Sequence, residues 1–220
     1  MVGSHHPRIK ICCISSREEA WLAIRCGASA LGLVSEMPSG PGVISEEQIA
    51  AIVTIVPPGV ATVLLTCKQE VPGIIEQHKR CGVSTIQIVD TLESGTHADL
   101  RTALPGIKIV QVIHVSGDKS VEQSEKVAPQ VDALLLDSGN PELQVKELGG
   151  TGRTHNWQIS KRIRERVTVP VFLAGGLNPG NVAAAVQEVA PFGLDVCNGV
   201  RTDGKLDETK LAAFFSAANT

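Results

Sequence analysis

The sequence predicts a single-domain α/β fold of the (β/α)8 class, a TIM barrel. Short apolar runs, which are typical of buried parallel strands, alternate along the chain with amphipathic stretches of helical spacing. Eight such pairs follow one another without a break in composition, and eight is the number that closes this barrel. The length of 220 residues also fits one barrel. A doubly wound open sheet is the alternative, although it usually contains fewer strands.

Each element is predicted from the spacing of its apolar residues and from the residues at its ends. Strands are predicted at residues 9–14, 30–34, 61–65, 85–89, 108–113, 133–137, 171–174 and 194–197. Helices are predicted at residues 16–26, 46–56, 71–81, 99–104, 121–128, 158–166, 181–189 and 208–218. Ser45 is the expected N-cap of the second helix, while Gly27 and Gly82 end the first and third. We assign residues 1–7 to a tail or tag remnant and residues 8–220 to the barrel.

Composition excludes several classes of function. The chain has 20 basic and 23 acidic residues, a net charge of −3 and no tyrosine. We therefore expect no nucleic-acid partner. No apolar segment is long enough to span a bilayer and no secretory leader is visible, which predicts a cytoplasmic protein without membrane contact. The six cysteines lack zinc-like spacing, so we expect reduced thiols and no metal site.

A glycine-rich turn follows the seventh predicted strand. Gly175 and Gly176 end the apolar run, and Asn181 is the expected N-cap of an alanine-rich helix. Glycines let a backbone approach an anion closely, and helix-start N–H groups direct positive charge towards it. The alternative is a tight strand-to-helix connection without a ligand. Asn198, Gly199 and Arg201 follow the eighth strand, and the loops after the last two strands usually form the phosphate site of such barrels.

Two strand ends carry groups suited to proton transfer. Alternation places Lys10 and Cys12 on one face of the first strand, where a cation would lower the pKa of the thiol. The alternative is that Cys12 only packs and that Lys10 reaches an edge. Asp137 ends the sixth strand and faces inward with Leu135, so apolar surroundings would suit it to general-acid chemistry. A turn-capping role for Asp137 is the alternative.

The loop after the sixth strand is long and dense in glycine. It contains Gly149, Gly150, Thr151 and Gly152, followed by Arg153. A loop of this kind can fold over a ligand and exclude water from it.

In these motifs the chain resembles the phosphoribosylanthranilate isomerase family of tryptophan biosynthesis. The resemblance runs from Lys10 to about Phe215 and rests on several motifs in order. They are Lys10-Ile11-Cys12, residues 132–137, residues 149–152 with Trp157, residues 173–177 with Pro179, Asn181 and Val182, and Asp195-Val196 with Gly199-Val200. The resemblance implies a cofactor-independent Amadori rearrangement in which Asp137 is the general acid and Cys12 removes the C2 proton.

The expected site therefore has a catalytic pair and a set of residues that bind a phosphorylated sugar. The catalytic residues are Cys12 and Asp137. The binding residues are Lys10, Gly150, Thr151, Gly152, Gly175, Gly176, Asn198, Gly199 and Arg201. No metal and no organic cofactor is expected, and the chain is expected to be a monomer or a homodimer.

The chain also departs from the family pattern. Cys13 stands where the family usually has glycine, Pro41 where it has the arginine that binds the anthranilate carboxylate, and Val89 where it has histidine. His155 and Asn156 replace the usual phenylalanine and aspartate. Arg153 and Arg201 are the two candidates to replace the missing arginine, although Arg201 could equally bind the phosphate or lie on the surface.

Three interpretations follow. The first is a phosphoribosylanthranilate isomerase. The second is a paralogue that acts on another phosphorylated sugar or sugar–amine adduct, which Pro41 and Val89 would favour. The third is a phosphate-binding barrel without turnover, against which the presence of both Cys12 and Asp137 argues. The extent of the motif match favours the first.

Overall fold

Eight parallel strands close into a barrel in chain order, and a helix follows each strand. The computed structural model describes residues 6–140, 143, 145–150 and 152–219. The first and last strands complete the barrel, with Lys10 of one paired to Asp195 of the other. Tail residues 1–5 lie outside the described residues, and the division into tail and barrel stays a prediction.

The bounds of the elements are as follows. The barrel strands are Arg8–Ile11 (β1), Ala30–Val34 (β2), Ala61–Thr66 (β3), Thr85–Ile88 (β4), Lys108–His114 (β5), Ala133–Asp137 (β6), Val171–Leu173 (β7) and Gly193–Val196 (β8). The helices are Arg17–Arg25 (α1), Glu46–Val53 (α2), Val71–Cys81 (α3), His97–Ala103 (α4), Lys119–Val127 (α5), Trp157–Arg166 (α6), Val182–Val189 (α7) and Glu208–Ala218 (α8). A small hairpin, Arg201–Thr202 (β9) with Lys205–Leu206 (β10), was not predicted.

The predicted barrel is confirmed, and so is each of its sixteen elements, with differences at some ends. β1 ends at Ile11 rather than at residue 14, because the chain turns out of the sheet before Cys13, whose φ is +62°. Ser45 forms the expected cap of α2, and Gly82 ends α3 in the left-handed conformation. Among the described residues, no helix combines the length and apolar character needed to cross a bilayer.

Alternation along the strands divides the apolar residues into two layers. One layer fills the space between strands and helices and includes Leu134, Leu136 and Phe214. The other fills the barrel interior and includes Leu135 and Val112. Asp137 lies two residues beyond Leu135, so the same alternation turns its side chain inward, as predicted.

The short helix α4 owes its start to a capping box. The Thr96 hydroxyl accepts a hydrogen bond from the Asp99 backbone N–H, and the Asp99 carboxylate accepts one from the Thr96 N–H. This reciprocal pair satisfies two N–H groups that the helix cannot bond itself. It also explains why α4 begins at His97, two residues before the predicted start.

We predict that Thr96→Ala lowers the free energy of unfolding by about 1 kcal/mol, because it removes the cap. Thr102→Ala in the same helix is the matched control, since the Thr102 hydroxyl only bonds back to the Ala98 carbonyl. Denaturant titration of both variants measures the difference. Equal losses in the two variants would show that the capping box does not determine the stability of α4.

Candidate active site

A cavity of about 280 Å³ opens at the carboxyl end of the barrel strands. Eight of the predicted site residues line it: Cys12, Asp137, Gly150, Gly152, Gly175, Gly176, Asn198 and Gly199. Thr151 lies outside the described residues. Lys10 and Arg201 are not in the wall. The carboxyl end of the strands is where the sequence placed the site.

Lys10 lies inside the barrel beneath Cys12. Its ammonium donates to Asp195 Oδ2 at 2.8 Å and lies 3.6 Å from Cys12 Sγ. Burial alone would lower the pKa of Lys10, but the Asp195 carboxylate outweighs burial and raises that pKa, so Lys10 keeps its charge. The expectation that Lys10 binds the substrate stays a prediction, and in the structure its ammonium is paired with Asp195 and lies beside Cys12. The expected cation beside the thiol is present.

Cys12 is the thiol of this site with the strongest tendency to ionise. The neighbouring Cys13 thiol and the charge of Lys10 lower the pKa of Cys12, and together they outweigh its burial, which raises it. The Cys12 side chain is 6% exposed and faces the cavity. A thiolate that is desolvated and held by donors is suited to removing a proton from carbon.

Asp137 supplies a carboxyl group to the same cavity. Burial raises its pKa, although a hydrogen bond from the Ser138 N–H at 2.7 Å and the nearby His114 partly oppose that shift. A carboxylic acid with a raised pKa can hold a proton near neutral pH and donate it. A Cβ on Gly149 would lie 2.9 Å from Asp137 Oδ2, so this loop glycine lets the backbone close over the acid.

The turns after β7 and β8 meet at one rim of the cavity. A Cβ on Gly199 would lie 1.9 Å from the Leu177 carbonyl oxygen, so only glycine permits this contact. Gly176 has φ of +63°, and a Cβ there would lie 2.7 Å from the Thr154 nitrogen. No described acceptor takes up the N–H groups of Gly175 and Gly176. Such backbone donors are suited to an anion.

Asn181 stabilises this rim by a contact that the sequence did not predict. It does not cap α7 with its side chain. Its Oδ1 accepts from the Asn178 N–H at 2.8 Å, and its Nδ2 donates to the Gly176 carbonyl at 3.0 Å. The side chain therefore holds the turn closed, while Asn181 occupies the predicted N-cap position of α7 without a side-chain bond to the helix.

The loop after β6 contributes Gly149, Gly150 and Gly152 to the cavity wall, and its closure over a ligand stays a prediction. Asn198 Nδ2 donates to the Gly150 carbonyl at 3.0 Å, which attaches this loop to the turn after β8. The Ser39 hydroxyl donates to the Lys146 carbonyl at 2.7 Å, which attaches it to the loop after β2. The two contacts therefore hold this loop at two separate points.

The opposite part of the cavity wall is apolar. It is formed by Val34, Met37, Pro41, Leu65, Val89 and Leu148. No described wall residue is a lysine or an arginine. Lys146 is paired with Asp90 at 2.6 Å, and Arg153 is paired with Glu147. Neither of the two arginines expected to replace the missing cation therefore lines this wall.

Arg201 binds the protein rather than the cavity. Its guanidinium donates to Glu19 Oε1 at 2.7 Å, to the Gly204 carbonyl at 2.9 Å and to the Cys13 carbonyl at 2.6 Å. The predicted role of Arg201 in substrate or phosphate binding stays a prediction: both terminal nitrogens of this 9% exposed side chain donate within the protein, and its Nε is buried without a partner among the described residues. In the structure Arg201 fixes the backbone just after Cys12.

The wall residues that were not in the predicted site include Cys13, Gln87, Asp195 and Cys197. Alternation could have found two of them. Asp195 and Gln87 are polar residues inside otherwise apolar strands, as Lys10 is, and a buried polar group requires a partner or a ligand. Gln87 Oε1 is buried without a partner among the described residues. The Cys13 and Cys197 positions depend on turn geometry that the sequence pattern does not encode.

Comparison with known proteins agrees with this geometry. The family model for N-(5'-phosphoribosyl)anthranilate isomerase matches residues 9–217. The N-(5'-phosphoribosyl)anthranilate isomerase of Halobacterium salinarum is 35% identical over 215 residues, which cover 96% of this chain and 95% of that protein. A second enzyme of that name, from Methanosarcina mazei, is 34% identical over 96% of this chain and 93% of its own length.

Solved structures of phosphoribosylanthranilate isomerases are also similar to this chain. The phosphoribosyl anthranilate isomerase of Thermotoga maritima is 30% identical, with a TM-score of 0.80 over 96% of this chain and 98% of that chain. Another, solved in complex with reduced 1-(o-carboxyphenylamino)-1-deoxyribulose 5-phosphate, is 28% identical, with a TM-score of 0.78 over the same shares. With the family model spanning nearly the whole barrel, this chain belongs to the phosphoribosylanthranilate isomerase family.

Proposed function

We propose that this chain isomerises N-(5-phosphoribosyl)anthranilate to 1-(2-carboxyphenylamino)-1-deoxyribulose 5-phosphate. The observation that carries the proposal is the shared cavity. An ionisable thiol, Cys12, and a carboxyl with raised pKa, Asp137, face the same space, and a glycine rim closes one end of it. Pairs of groups whose environments shift their pKa values in opposite directions are suited to acid and base roles.

In this mechanism Asp137 protonates the furanose ring oxygen, and the C1–O bond breaks to give an iminium ion. The Cys12 thiolate then removes the proton from C2, and the electron pair of that C–H bond neutralises the iminium to give an enolamine. Ketonisation of the enolamine completes the aldose-to-ketose change. Each step is a proton transfer with no net redox change, so the two side chains suffice.

The two ends of the cavity suit the two ends of this substrate. The phosphate would bind the N–H groups of Gly175 and Gly176 and the adjoining turn at Gly199, where glycine permits close approach. The aryl ring would pack on the apolar wall around Met37, Leu65 and Val89. Gln87 Oε1, which has no partner among the described residues, is available to accept a substrate hydrogen bond.

The other interpretations receive no support from the comparisons. The relatives described above carry the isomerase name, and a binding protein without turnover has no need of both Cys12 and Asp137. A monomer or a homodimer remains our expectation. The phosphoribosylanthranilate isomerase of Thermotoga maritima is a dimeric enzyme. We also propose that this chain is located in the cytoplasm.

We predict that Cys12→Ala and Asp137→Asn each lower kcat/KM by about 10²–10⁴-fold, because each removes one proton-transfer group. The measurement is the loss of phosphoribosylanthranilate fluorescence with purified protein. Cys81→Ala is the matched control, since Cys81 is buried in the layer between strands and helices, away from the cavity. A near wild-type rate in either folded variant would remove that residue from the mechanism.

We also predict that Pro41→Arg lowers KM for phosphoribosylanthranilate by about tenfold, with little change in kcat. Pro41 lines the apolar wall, and an arginine there would give the anthranilate carboxylate a charge-assisted partner. Pro41→Gln controls for the loss of the proline ring and for side-chain length. If the glutamine variant improved KM as much, charge recognition would not be the cause.

A further inference from the structure

The backbone that carries Cys12 leaves the sheet in a strained turn. The Cys12 N–H still donates to the Val196 carbonyl of β8 at 2.8 Å. Two residues later, the Ile14 N–H donates to the Gly32 carbonyl of β2 at 3.0 Å. Between these attachments lies Cys13, whose φ of +62° is in the left-handed region that L-residues rarely adopt. Such strain persists only where the surrounding structure holds it, so the contacts that hold Cys13 also determine where Cys12 lies.

Arg201 supplies a contact that holds this turn. Its Nη2 donates to the Cys13 carbonyl at 2.6 Å and to the Cys12 carbonyl at 3.4 Å. Its Nη1 donates to the Gly204 carbonyl at 2.9 Å and to Glu19 Oε1 at 2.7 Å. A guanidinium is a rigid planar fork, so these acceptors together fix its position. Cys12 and Cys13 line the cavity and Arg201 does not, so Arg201 acts on the turn from outside the cavity wall.

Glu19 fixes the position of Arg201 in turn. The two side chains are largely buried, so each charge requires the other as its partner. The Glu19 carboxylate also accepts from the Ser15 N–H at 3.0 Å and from the Leu206 N–H at 3.0 Å. These bonds attach it to the loop after β1 and to β10. The carboxylate therefore gives Arg201 an anchor that is itself held by two parts of the backbone.

We propose that Arg201 and Glu19 are positioning residues, which hold the strained backbone at Cys13 so that the Cys12 sulfur points at the substrate carbon. In this role they touch no substrate atom. Proton transfer from carbon depends steeply on the distance and direction of the base, so a loosened turn lowers the rate rather than the substrate affinity. This role rests on the proposed isomerase function, whereas the restraint on the backbone does not.

The kinetic test uses two conservative variants. Arg201→Lys keeps the charge but loses the planar fork, and Glu19→Gln keeps the size and an acceptor oxygen but loses the charge. We expect each to lower kcat about 10–100-fold and to leave KM for phosphoribosylanthranilate within about threefold of wild type. Arg80→Lys is the control, because Arg80 of α3 pairs with Glu46 of α2 away from the cavity wall. It should change neither constant.

Two kinetic results would overturn the proposal. One is a kcat near wild type in folded Arg201→Lys and Glu19→Gln. The other is a raised KM with kcat retained in Arg201→Lys, which is the result expected if Arg201 binds the phosphate instead. If Arg201→Lys does not fold, Glu19→Gln provides the same test of kcat.

A double-mutant cycle with Cys13→Gly tests the route of the effect. Glycine adopts positive φ without strain, so the turn needs less restraint in this variant. Arg201→Lys should therefore lower kcat by less than about threefold in the Cys13→Gly background, compared with about 10–100-fold in wild type. An equal loss in both backgrounds would show that Arg201 does not act through Cys13, and the proposal would be wrong.

Amide hydrogen exchange reports the restraint without any need for turnover. We expect exchange in the peptide of residues 12–16 to be about tenfold faster in Arg201→Lys and unchanged in Arg80→Lys. If exchange rises but wild type does not isomerise phosphoribosylanthranilate, the restraint is supported and the proposed substrate is wrong. If wild type isomerises it and neither exchange nor kcat changes in the variants, only the role of Arg201 and Glu19 is wrong.

Discussion

The ion pair between Lys10 and Asp195 joins the closure of the barrel to its chemistry. The two residues face each other on β1 and β8, the strands that complete the sheet, and both are almost fully buried. Removing two charges from water costs several kcal/mol per ion, which close pairing must offset. Here the pair also points the lysine at Cys12 Sγ. The register of the last strand against the first therefore determines whether the Cys12 thiol has a cation beside it.

A second buried charge acts on the same turn from behind. Arg201 leaves the end of β8 and donates to the carbonyl oxygen of Cys13, while Glu19 at the start of α1 accepts from Arg201. Glu19 also accepts from the N–H groups of Ser15 and Leu206, so one carboxylate joins the loop after β1 to the hairpin after β8. The backbone at residues 12 and 13 is thus held on both sides, which suits a base that must stay in place.

The period of the apolar residues and the capping and glycine residues at element ends were sufficient to predict the barrel. Strands buried on both faces and helices with one apolar face leave strong patterns in the sequence. The inward direction of Asp137 and the shared face of Lys10 and Cys12 followed from alternation alone. The role of Arg201 could not be predicted. Its position after a glycine turn suggested an anion, but its partner Glu19 lies 182 residues earlier in the chain. The left-handed backbone conformation of Cys13 was not predicted either, because a cysteine rarely adopts positive φ whereas glycine often does.

The glycine turns after β7 and β8 and the apolar wall offer a ligand two different kinds of contact. The donors of the glycine turns are main-chain N–H groups, and the shape of these turns depends on the absence of side chains at Gly176 and Gly199. Side-chain substitutions elsewhere in the cavity leave those groups in place. The apolar wall is built in the opposite way, from side chains of β2 and β3 and of the loops after β2, β4 and β6. An ancestral barrel with this rim could therefore exchange the group at one end of its ligands through changes at Met37, Pro41 or Val89. It would keep the proposed phosphate-binding turns while doing so.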